Sequence, residues 1–100
     1  MTTAGVPPVL LLAFNRPETT AQVLRSLRDV RPGRLFFAVD GPREGRQGER
    51  ERVAAVRRLV EKIDWPCRVD TLFREANLGC KKAVSEAITW FFDQVQAGVI

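Results

Sequence analysis

Val9-Leu10-Leu11-Leu12-Ala13-Phe14-Asn15-Arg16-Pro17 sets the architecture of the chain. Six apolar residues in succession, with no polar alternation, fit a strand covered on both faces, as in the centre of a parallel sheet. The run stops at Asn15, a residue type that caps helices, and Pro17 fits a first helical turn, where a missing N–H costs nothing. The stretch predicts strand, tight corner, helix, with Asn15 as the cap. In open α/β sheets ligands bind at the carboxyl ends of the strands, which makes Asn15 and Arg16 candidate site residues.

The pattern recurs along the chain. Val23, Leu24, Leu27 and Val30 follow at helical spacing with Arg25, Arg28 and Asp29 on the other side, and Arg31-Pro32-Gly33 ends that helix. Leu35-Phe36-Phe37-Ala38-Val39 is a second buried strand, stopping at Asp40-Gly41-Pro42. Residues 43–48, charged and glycine-rich, read as a mobile loop over the sheet's upper edge. Val53, Val56, Leu59, Val60 and Ile63 then form a stripe with Arg50, Arg57, Arg58 and Glu61 outside it, a helix of about four turns. Asp64-Trp65-Pro66 breaks it. Arg68 to Arg74 partly alternates and carries charge, as expected of a strand near the sheet edge. After the corner Glu75-Ala76-Asn77-Leu78-Gly79, a last helix carries Val84, Ala87, Ile88, Phe91 and Val95 inward, with Trp90 and Phe92 partly off that stripe and Gly98 closing it.

Strand and helix in strict alternation predict an α/β fold, a three-layer α/β/α sandwich on a mainly parallel sheet with right-handed crossovers. Val99-Ile100 reads as the opening of a fourth buried strand, and the chain as an amino-terminal segment of a longer protein.

One hundred residues make one small domain or part of one, and an apolar fraction of 45% is enough for a core. The net charge of +4 comes from thirteen Arg and three Lys against twelve acids, spread over helices and loops. That spread reads as solvated helix faces, so no nucleic-acid partner is expected. Cys67 and Cys80 are too few and too far apart for a zinc site or a disulfide framework, and the chain has no histidine. Residues 1–8 lack a basic start, and the apolar run after them is far short of a membrane span. A cytoplasmic protein with free thiols is expected.

The corners exclude the commoner nucleotide folds. There is no G-x-G-x-x-G, no G-x-x-x-x-G-K-[ST] and no G-x-S-x-G, nor the glycine-rich first loop with Arg and Lys of sugar nucleotidyltransferases. What stands at the strand ends instead is Ala13-Phe14-Asn15-Arg16-Pro17, then Val39-Asp40-Gly41, then Asn77-Leu78-Gly79. In that order and placement the set resembles the GT-A-fold glycosyltransferases related to family two and to the N-acetylglucosaminyltransferase I type.

The resemblance implies the nucleotide-binding, Rossmann-like half of an enzyme that moves a sugar from a nucleotide sugar, UDP-linked or otherwise pyrimidine-linked, to an acceptor hydroxyl. Asp40 matches the aspartate that accepts a hydrogen bond from the pyrimidine ring, a role suited to an acceptor-only group. Arg16 matches a position near base and diphosphate, where a guanidinium fork pairs with phosphate oxygens. Asn77 and Gly79 match a sharp turn exposing backbone N–H groups, with Lys81 after it and Arg74 before it in the same cluster. The acidic motif for a divalent cation, Mg or Mn, and the catalytic base are expected beyond Ile100, so the segment alone is expected to be inactive. The alternative from another class is a non-catalytic α/β module binding anions or a protein partner through Arg43, Arg46, Arg50 and Arg52. Self-association through the uncovered edge of the first strand is a further expectation.

Overall fold

Two buried apolar strands and a half-buried third build the sheet. The computed structural model describes residues 6–100, so the reading of a leader falls, for residues 1–5, outside the described residues. The elements are β1 (Val9–Ala13), α1 (Pro17–Val30), β2 (Arg34–Val39), α2 (Glu49–Arg58), a 3-10 turn over Leu59–Lys62, β3 (Arg68–Phe73) and α3 (Cys80–Gln94). All three strands are parallel in the order β1-β2-β3, with Leu11 opposite Phe37 and Phe37 opposite Thr71. The α/β alternation is as the sequence predicts, and β3 takes the edge.

Side chains alternate across the sheet and feed two cores. Leu11, Leu35, Phe37 and Val39 pack with Leu24 of α1 and with Val53 and Val56 of α2, while Leu10, Phe36 and Ala38 pack with Ala87 and Phe91 of α3. Phe36 lies edge-on to Phe91 with ring centroids 5.0 Å apart, and to Trp90 at 5.2 Å. Full burial of a phenylalanine ring contributes about 1.5–3 kcal/mol. Trp90, though partly off the apolar stripe of α3, joins this core at its flank, because the Phe36 side chain is long enough to reach it.

Other expectations shift with the packing. Leu24 and Leu27 face the sheet, but Val23 and Val30 are 38% and 54% exposed, since α1 is flanked by α2 on one side only. The third periodic segment is α-helical only to Arg58 before tightening to 3-10. Arg57 points inward, donating from Nη2 to the Arg74 carbonyl at 2.5 Å, with its guanidinium over the Phe73 ring. The last helix ends at Gln94, short of Gly98. Gly98 serves a close approach instead, since a Cβ there would run into the Phe91 ring and lie 2.8 Å from the Pro8 carbonyl oxygen.

That close approach lets Val99 bridge in parallel to Val9, its N–H donating to the Pro8 carbonyl at 2.9 Å and its carbonyl accepting from Leu10 N–H at 2.7 Å. β2 already occupies one side of β1, so Val99 lies on the other. The chain thus steps from β1 to β2 to β3 and then reverses to the far side of β1. The crossovers leave α1 and α2 packed on one face of the sheet and, after the reversal, α3 on the opposite face. The upper end of β1 is the switch point, where open α/β sheets have their ligand crevice.

Candidate functional site

Three corners meet at that end of the sheet. At the first, Arg16 precedes a proline and is therefore held extended, with φ −121° and ψ 83°. Arg16, not Asn15, is the cap residue of α1, and no side chain caps the helix. The Thr20 N–H and hydroxyl both donate to the Arg16 carbonyl, at 3.0 and 2.8 Å. Asn15 is drawn away: its Nδ2 donates to Glu49 Oε1 at 3.1 Å.

At the second corner, Asp40 is 8% exposed and its carboxylate ties two loops together. Oδ1 accepts the N–H of Gly41 at 2.8 Å and of Leu78 at 2.9 Å, while Oδ2 accepts Asn77 Nδ2 at 3.1 Å. Asn77 Nδ2 also donates to the Gly41 carbonyl at 2.8 Å. The third corner comes so close that a Cβ on Gly41 would sit 2.6 Å from the Ala76 carbonyl carbon and 2.8 Å from the Arg74 oxygen. Asp40-Gly41 is thus a junction, with the carboxylate as its tie and the missing side chain as its clearance. Gly79, at φ 86°, then turns the chain into α3, again without a side-chain cap.

Between the corners lies a cleft of about 570 Å³, lined among others by Phe14, Asn15, Arg16, Asp40, Arg43, Asn77, Gly79 and Cys80. Five of the seven sequence-predicted site residues line it. Arg74 lies below, beside a cavity of about 40 Å³ under α3, and pairs with Glu86 at 3.0 Å. Lys81 is exposed on the first turn of α3 and does not line the cleft.

Sequence reasoning missed Glu49. The first residue of α2, it is fully buried and accepts from Arg43 N–H at 2.8 Å, Arg43 Nε at 3.0 Å and Arg43 Nη2 at 2.6 Å, besides Asn15. The Arg43 hydrogen bonds outweigh the burial that opposes them and hold the Glu49 carboxyl down at about 2, and they raise Arg43 above its ordinary value. The loop over residues 43–48 is therefore tied at its first residue, Arg43, to the start of α2. Arg43 also leaves the expected patch of free arginines: its charge is balanced by Glu49 and its guanidinium lies 5.5 Å from the centroid of the Phe14 ring. Among twelve acids nothing local marks Glu49; its partner Asn15 is 34 residues away.

The arrangement suits an anionic ligand. Two helices, α1 and α3, start at the cleft without side-chain caps, leaving first-turn N–H groups for a ligand. Arg16 has no ion-pair partner among the described residues, whereas Arg43 does. Among the described residues no group of three His, Cys, Asp or Glu side chains could hold a metal ion, and no helix is long and apolar enough to cross a membrane. Cys67 and Cys80 are free thiols, Cys67 with its pKa raised by burial. No family model matches the chain, and neither a curated protein nor a solved structure matches it.

Proposed function

We propose that the cleft binds the nucleotide of a pyrimidine diphospho-sugar, and that the chain is the nucleotide-binding half of a GT-A-type glycosyltransferase acting on an acceptor hydroxyl. The observation that carries this reading is the convergence of the three motif corners on one cleft at the switch point of a parallel sheet.

Asp40 is suited to the ring. A carboxylate has about four acceptor sites. Oδ1 takes two donors from the chain and Oδ2 one, which leaves Oδ2 an acceptor for a ring N–H. Arg16 and the uncapped start of α1 are suited to the diphosphate, where a cation at the positive end of a helix is otherwise unfavourable. These groups bind and orient the donor. The divalent cation of such enzymes has no donor set among the described residues, so no step of the transfer is assigned to it or to a base in this chain.

Calorimetric titration with UDP, uridine, ADP and pyrophosphate tests the proposal. UDP should bind, uridine more weakly, and ADP more weakly than UDP because an adenine edge offers an acceptor nitrogen where uracil offers N–H. Equal binding of UDP, ADP and pyrophosphate would instead support a general anion-binding module.

A further inference from the structure

We propose that Glu49 is a positioning residue for the diphosphate, acting through Arg43 and Asn15 rather than touching the ligand itself. This rests on the reading of the cleft as a nucleotide site.

Four observations carry it. Glu49 has no exposed surface, and a carboxylate is buried at large cost unless it is paired and hydrogen-bonded. Its hydrogen-bond donors are the two cleft residues Arg43 and Asn15, one from each of two corners. Its carboxylate makes no cap hydrogen bond to its own helix, whose cap residue is Gly48 in the left-handed region, so although its charge suits the first turn its oxygens are turned to the two corners. Finally, the Arg43 guanidinium lies 5.5 Å from the centroid of the Phe14 ring, a second contact beside Glu49.

The consequence is a wall set in place before the ligand arrives. Arg43 uses its backbone N–H, Nε and Nη2 on Glu49, and Nη1 is not among these. Swinging the whole side chain to a phosphate would strand a buried carboxylate, so Arg43 meets the ligand from where it stands. Asn15 gives one Nδ2 hydrogen to Glu49, which fixes its amide and leaves the second Nδ2 hydrogen as the donor for a phosphate oxygen. A ligand then binds without the cost of ordering these two side chains and the loop that starts at Arg43. Without the Glu49 charge the fork has nothing to brace against.

The test uses the whole chain, UDP and uridine as probes, and the variants Glu49→Gln, Arg43→Met and both together. In nitrogen-15 spectra the wild-type Arg43 Nε–H should exchange slowly and lose that protection in Glu49→Gln. UDP affinity should fall tenfold or more in Glu49→Gln while uridine stays within about twofold, and the double variant should bind UDP no more weakly than Arg43→Met. A merely structural Glu49 would weaken both probes together and make the double variant weaker than either single one, and that result overturns the proposal. So does wild-type UDP affinity in folded Glu49→Gln, which leaves the nucleotide reading standing. A wild type that binds neither probe overturns the nucleotide reading itself, whatever the Arg43 signal shows. Should Glu49→Gln fail to fold, Arg43→Lys keeps the charge but not the fork, and unchanged UDP affinity in it is equally fatal.

Discussion

The side-chain amide of Asn77 reaches across 37 positions of sequence to donate to Asp40 Oδ2 at 3.1 Å and, on the same nitrogen, to the Gly41 carbonyl at 2.8 Å. Asp40 is therefore a structural tie as well as a candidate ligand group. Asp40→Asn should lower stability as well as nucleotide affinity. An amide in its place sets a donor against the Leu78 N–H or the Asn77 amide. A loss of about 1–3 kcal/mol is expected, the usual cost of a buried polar group left unpaired. Urea denaturation of wild type and variant measures it, and nucleotide titration at a temperature where both are folded separates binding from folding.

Gly41→Ala should be harmful for a different reason. The added carbon meets main-chain atoms of Ala76 and Arg74, which cannot rotate aside as a side chain would. Overpacking of this kind costs about 1–3 kcal/mol. The thermal midpoint should fall, and because the 74–76 segment must retreat, binding in the adjoining cleft should weaken with it.

Acid stability should report Glu49. Its carboxyl is held at about 2 in the folded chain, against 4.5 ordinarily. The unfolded chain then binds more protons between those values, so stability rises with pH across that window. The contribution is complete above the ordinary value and disappears as pH falls through the folded one. Arg43, raised by the same pairing, stays protonated throughout that range, so the pair is lost through Glu49 alone. Urea midpoints measured from pH 5 down to pH 2 should drop more steeply for wild type than for Glu49→Gln.

Phe91→Ala should cost about 3–5 kcal/mol, as for other buried aromatic truncations. The ring is fully buried against Phe36 and also covers Gly98, on which the docking of Val99 beside β1 depends. Hydrogen exchange should show the Leu10 and Val99 amides losing protection along with the α3 core.

Among the described residues the outer edge of β1 is paired at Val99 and no further along. Val99 and Ile100 at that edge are 51% and 54% exposed. An open edge of this kind templates pairing with a second chain. Light scattering on the 100-residue chain across a dilution series should show a mass that rises with concentration. A constant monomer mass at high concentration would contradict it.

The elements and the ends of the strands follow from local pattern alone. Leu10 to Leu12 and Leu35 to Val39 are apolar on both sides of the pleat, which only a doubly covered strand tolerates, and the first polar residue after each run marks a strand end. Those signals depend on neighbours two to four positions away and can be read without a fold. The partners of Asp40, Asn15 and Glu49 are set by the packed chain, because they join corners more than thirty residues apart and exist only once β2 lies between β1 and β3. Asn15 shows how the two levels compete. Local preference makes it a helix cap, but a fully buried carboxylate needs every donor within reach, and the Asn15 amide goes to Glu49 while Arg16 starts the helix uncapped.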